Sequence, residues 1–116
     1  TESATPPFPS ITASQIEANK AYARVYILNT YGWGDDQWLA LEQLWTRESG
    51  WNHLAVNPTS GATGIPQALP GDKMATAGSD WKTNPQTQIR WGASYIKGRY
   101  KDPLGAWAHF KAKNWY

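Results

Sequence analysis

Trp38, Leu41, Trp45 and Glu48 recur at the i, i+3, i+7, i+10 spacing of a single helix face, and that face runs into a glycine at position 50. Two indoles and a leucine on one stripe must be buried, so the segment is committed to a helix of about 36–49 lying against the core. Gly50 is its natural left-handed stop. Asp35 or Asp36 is expected to cap its start, where the helix dipole suits a carboxylate. At the far end the dipole favours cations, and Arg47 conforms while Glu48 does not. Aimed at the core between Trp45 and Trp51, the Glu48 carboxylate should be poorly solvated and hold its proton more tightly. A helix-end dipole contributes only about 0.3–1 kcal/mol. Bringing a glutamic acid toward neutrality needs roughly 2 kcal/mol, so burial must do the larger share.

The rest of the chain arranges itself around this helix. Ser14-Gln15-Ile16-Glu17 reads as a capping box opening a helix of about 15–30, with Ile16, Ala23, Ile27 and Thr30 near one stripe and Val25 and Leu28 beside it. Gly32 and Gly34 break it. From Trp51 to Gly71 the periodicity disappears, and Asn57-Pro58, Ser60-Gly61, Gly64 and Pro70-Gly71 mark successive turns. Residues 62–67 are expected to form a short extended segment or a tight hairpin, with Gly61 and Gly64 allowing close backbone approach. A short helical turn near 72–77 follows. Asn84-Pro85 then opens a helix to about Tyr100, packed through Ile89, Gly92, Ala93, Ile96 and Tyr100, with Trp91 and Tyr95 on its flank. Asp102-Pro103 opens a last helix of about 103–112. The fold class is mainly α, a small helical domain over 13–116 with an irregular or hairpin loop beside the Glu48 helix. Residues 1–12, rich in Pro, Ser and Thr, read as a linker or processed segment.

Composition narrows the function. With no cysteine and only His53 and His109, no metal site or cofactor is expected. No apolar run is long enough to span a bilayer. Residues 1–80 carry four basic and eight acidic side chains, and residues 81–116 carry seven and one. The basic C-terminal part favours an anionic partner, and without a nucleic-acid motif a cell-wall polymer fits better than nucleic acid. Eight tryptophans in 116 residues exceed what a core this size buries completely, so some should line a groove suited to sugar rings. Nucleophile elbows and phosphate-binding glycine loops are absent. One misplaced glutamate, a glycine-rich loop and many aromatics suit acid/base work on a glycosidic bond.

Glu48-Ser49-Gly50-Trp51-Asn52, then Ser60-Gly61-Ala62-Thr63-Gly64-Ile65-Pro66-Gln67, then Gly92 to Tyr95-Ile96, resemble in order the motifs of lytic transglycosylases in the lysozyme-like superfamily. Ile65-Pro66-Gln67-Ala68-Leu69-Pro70-Gly71 and the terminal Trp115-Tyr116 are most similar to secreted cell-wall lytic enzymes of actinobacteria and their phages. The resemblance implies a lysozyme-like domain cleaving the MurNAc–GlcNAc β-1,4 bond of peptidoglycan glycan strands as a secreted or wall-associated monomer. It implies that Glu48 is the single catalytic acid and base, forming 1,6-anhydro ends. Substrate contacts would come from Gln67, Tyr95, Asn57, Ile65, Ser60 and Trp91. Ala106-Trp107-Ala108-His109-Phe110 stands where relatives carry Ala-Tyr-Asn-Ala-Gly, and Pro66 where Met or Gly is usual, so subsite details depart from the pattern. Two other readings remain open. One is a hydrolytic muramidase using Asp35, Asp36 or Asp72 as second carboxylate; the other is a wall-binding module without catalysis.

Overall fold

In the computed structural model, residues 10–116 are described, so most of the expected linker lies outside the described residues. Four helices follow in order: α1 over Ala13–Tyr31, α2 over Asp35–Ser49, α3 over Pro85–Tyr100 and α4 over Pro103–Lys113. A 3₁₀ helix at Gly71–Thr76 matches the helical turn expected there. The only β pairing among the described residues is two isolated antiparallel bridges, Val56 to Thr63 and Thr63 to Ala68. The mainly helical fold class stands.

The Glu48 helix forms as its stripe requires. Trp38, Leu41, Trp45 and Glu48 are all buried, and Gly50 caps the end with φ 62°. α2 packs most extensively against α4 and also meets α1, while α3 touches both α1 and α4. One cluster joins Ala23 and Ile27 of α1, the α2 stripe, Ile89, Ala93 and Ile96 of α3, and Ala106 and Phe110 of α4. Thr30, Val25 and Leu28 face outward, so α1 contributes a narrower stripe than its sequence pattern suggests.

Two caps differ from the sequence reading. α1 begins two residues earlier, because Thr12 holds an extended conformation and accepts from the Gln15 N–H, while the Gln15 side chain accepts from the Thr12 N–H. The box is therefore Thr12 with Gln15, not Ser14 with Glu17. At α2 the extended residue is Gly34, which has no side chain to offer, and Asp35 and Asp36 fall inside the first turn. They act there through charge: Asp35 pairs with Arg24 at 2.9 Å, and both carboxylates sit at the positive end of the helix dipole. The caps of the last two helices are as read, Asn84 before Pro85 and Asp102 before Pro103.

Gly92 sets the distance between α3 and α2. A Cβ built there would lie 2.6 Å from Cζ2 of Trp45 and 3.0 Å from Cβ of Pro66. Only a residue without a side chain leaves room for the Trp45 indole at this point of α3. Replacing Gly92 with Ala should therefore destabilise the protein by about 1–3 kcal/mol through overpacking, read as a lowered denaturation midpoint in urea.

His53 supplies a second test of the core. Its Nδ1 accepts from the Asn19 amide at 3.2 Å, and the same amide donates to the Trp51 carbonyl at 3.0 Å, which fixes the neutral ring as the Nε2–H tautomer. Burial holds its pKa below the ordinary 6.5. Below that value the unfolded chain takes up a proton that the folded ring resists, so stability falls as pH drops, levelling off beneath the depressed folded pKa. The melting temperature should decline between about pH 7.5 and about pH 5, and decline less in His53→Asn.

Candidate active site

Glu48 lies in the last turn of α2 with its side chain wholly removed from solvent. The indoles beneath it are packed edge to face, Trp45 against Trp51 at 5.2 Å, with Trp38 tilted on Trp51 at 5.5 Å. Trp51 itself sits at φ 62° directly after Gly50, and its Nε1 donates to the Glu42 carbonyl at 3.2 Å. This locks the chain's reversal at the end of α2. Among the described residues Glu48 is the one buried carboxylate. Asp35 and Asp36 are exposed and about 18–20 Å away along the helix at 1.5 Å per residue. That is too far for paired carboxylates at a glycosidic bond, which need roughly 5–9.5 Å. Asp72 is exposed on the 3₁₀ helix.

Beside Glu48 stands the loop expected as a short extended segment or a tight hairpin. Thr63 and Ala68 exchange both backbone hydrogen bonds, at 3.0 and 2.9 Å, around the turn Gly64–Gln67. The Ser49 hydroxyl donates to the Ile65 carbonyl at 2.8 Å, tying the residue next to Glu48 directly to the turn. From below, the fully buried Gln88 of α3 holds the same turn. Its Oε1 accepts from Ile65 N–H at 2.9 Å, and its Nε2 donates to the carbonyls of His53 and Trp81 at 3.0 and 2.9 Å. A Cβ at Gly64 (φ 75°) would collide with that amide. Gln88 was not singled out from the sequence, where a Gln within a helix carries no distinguishing signal.

An aromatic wall completes the surroundings. Trp91 and Tyr95 stack at 5.3 Å on the α3 flank and are only partly buried. Tyr95 meets Tyr116 edge to face at 5.7 Å, and Tyr100 lies 6.2 Å from Tyr116. Tyr116 is buried. Its hydroxyl accepts from Trp45 Nε1 at 2.9 Å and donates to the Pro66 carbonyl at 2.7 Å. Burial first, and then the proximity of the Glu48 carboxyl, raise its pKa well above the ordinary tyrosine value. Proximity of Tyr116 to Glu48 was not foreseen; the terminal Trp-Tyr was noted only as part of the resemblance.

The other candidates fall into two groups. Gln67 is buried at φ 55°, and its amide donates to the carbonyls of Gly64 (2.9 Å) and Ala55 (3.2 Å), while its Oε1 has no donor from the described residues. That leaves a buried acceptor without a partner among the described residues. Asn57, Ser60 and Ile65 serve the loop. Asn57 Oδ1 accepts from the N–H groups of Thr59 and Ser60, and Ser60 Oγ accepts from Ala62 N–H. The Ile65 side chain belongs to the core. The tryptophans divide evenly: Trp33, Trp38, Trp45 and Trp51 are buried, whereas Trp81, Trp91, Trp107 and Trp115 reach the surface. Among the described residues no group of His, Asp or Glu is arranged to hold a metal, and no helix is long and apolar enough to cross a membrane.

The family model of the transglycosylase SLT domain matches residues 29–114. No curated protein and no solved structure matches the chain. The matched span contains the whole arrangement around Glu48 except Tyr116, and it covers most of the 116 residues. A mainly helical domain, with the three motifs of the resemblance all inside that match, places the chain in one group: it belongs to the transglycosylase SLT domain family, the lytic transglycosylase type of peptidoglycan-acting domain within the lysozyme-like superfamily.

Proposed function

We propose that the domain cleaves the MurNAc–GlcNAc β-1,4 bond of peptidoglycan with Glu48 as the only proton-transferring group. The observation that carries this reading is the complete burial of a single carboxylate at the end of α2, between an indole cluster and a glycine turn. A carboxyl stripped of water favours its neutral form, which is the form that can protonate a leaving glycosidic oxygen. In the first step the Glu48 proton passes to the GlcNAc O4 as the C1–O4 bond breaks and positive charge develops at MurNAc C1. In the second, the sugar's own C6 hydroxyl attacks C1 and returns its proton to Glu48. Acid and base are thus one residue at two moments, and the products are a 1,6-anhydroMurNAc end and a free 4-hydroxyl.

The distance of Asp35 and Asp36 from Glu48 supports this over hydrolysis through a paired carboxylate. Gln67 is the best-supported substrate contact, because its buried Oε1 can take a hydroxyl or acetamido N–H from the glycan. Trp91 and Tyr95 offer a partly open stacked face for a sugar ring. Asn57, Ser60 and Ile65 would act by holding the turn that carries Gln67. The sites of action would be outside the cell, in the wall, where the domain works as a monomer along the glycan strand.

Glu48→Gln should reduce release of soluble muropeptides from purified peptidoglycan by at least about 100-fold. Its melting temperature should be equal to or above that of the native protein, because a buried charge-bearing group has been replaced by a neutral one. Full retained lysis would exclude Glu48 as the acid. Trp91→Ala should raise KM several-fold while leaving kcat nearly unchanged, the mark of binding that is equal in ground and transition states.

A further inference from the structure

We infer that Tyr116 is a positioning residue for this reaction, holding the Glu48 end of α2 in register with the Gly64–Gln67 turn. The inference rests on Glu48 being the acid. Its basis is a short relay of two hydrogen bonds: Trp45 Nε1 donates to the Tyr116 hydroxyl at 2.9 Å, and that hydroxyl donates to the Pro66 carbonyl at 2.7 Å. Trp45 lies three residues before Glu48 on the same face of α2, and Pro66 is next to Gln67 in the turn. One phenol therefore spans the two elements that must approach a sugar from different sides.

The Ser49 to Ile65 hydrogen bond is the other tie between these elements, and the two fix the turn at adjacent residues. With both in place, rotation of the turn about either contact is blocked. Tyr116 itself is held in a ring of aromatics, edge to face with Tyr95 and tilted against Tyr100, so its hydroxyl position is set by packing. A phenol has a single proton to give. Here it is directed at the Pro66 carbonyl, and burial of the phenol favours keeping it on the oxygen. Tyr116 is thus suited to alignment.

Alignment of this kind is read in kcat. A misplacement near 1 Å at a reacting group costs about 100-fold, so Tyr116→Phe, which keeps the ring and removes the tie, should lower kcat by about 10- to 100-fold. KM should be little changed and the protein fully folded at the assay temperature. Trp45→Phe removes the same tie from its other end, and the double variant should be no slower than the slower single one. Wild-type kcat in Tyr116→Phe, with Glu48→Gln inactive, would overturn the inference and leave the acid assignment standing. A loss in Tyr116→Phe that merely follows the unfolded fraction would also overturn it, as would additive effects of Tyr116→Phe and Trp45→Phe. Should Tyr116→Phe be unfolded at assay temperature, full kcat in folded Trp45→Phe would overturn it equally. An active Glu48→Gln would instead remove the reading beneath it.

Discussion

The contact between the Trp45 indole and the bare backbone at Gly92 governs how this domain is assembled. The indole reaches from α2 to α3, Pro66 lies against the same spot, and the indole N–H donates to the Tyr116 hydroxyl, which in turn donates to the Pro66 carbonyl. The Glu48 carboxylate is carried into the interior because it shares a helix face with Trp38, Leu41 and Trp45, each of which has to be covered. Burying a carboxylate costs stability, and the surrounding indole packing and the Gln88 amide network keep the chain folded around it.

In the proposed mechanism the catalytic machinery is sparse. A single acid needs a dry position and a neighbour that holds the substrate, and both come from backbone elements rather than from additional charged groups. The turn is fixed from three directions. Ser49 contacts Ile65, Gln88 contacts Ile65 from below, and Tyr116 contacts Pro66. Asp35 and Asp36 are left to the start of α2, where Asp35 pairs with Arg24 and both answer the helix dipole.

Much of this arrangement can be read from residue order alone. The α2 stripe, the left-handed Gly50, the turn region and the Pro85 and Pro103 starts are local features, decided by periodicity and capping chemistry within a few residues. The misplaced caps of α1 and α2 show the limit of such reading. Ser14 and Glu17 satisfy the same pattern as Thr12 and Gln15, and which pair is used depends on where α1 meets the core. What could not be read was the long-range polar chemistry. Gln88 bonds to partners up to 35 residues away, and Tyr116 to partners 71 and 50 residues away. No spacing rule announces bonds of that kind. That some tryptophans stay out of the core followed from counting rings against core size, but which four reach the surface depended on packing.

In the proposed reaction one carboxylate serves first as acid and then as base, with the sugar's own hydroxyl in place of water. Mass spectrometry of muropeptides released from purified peptidoglycan tests it most directly. Muramyl ends one water lighter than reducing ends, the signature of the 1,6-anhydro ring, are expected. Products ending only in reducing MurNAc would show that water is the nucleophile and would contradict it.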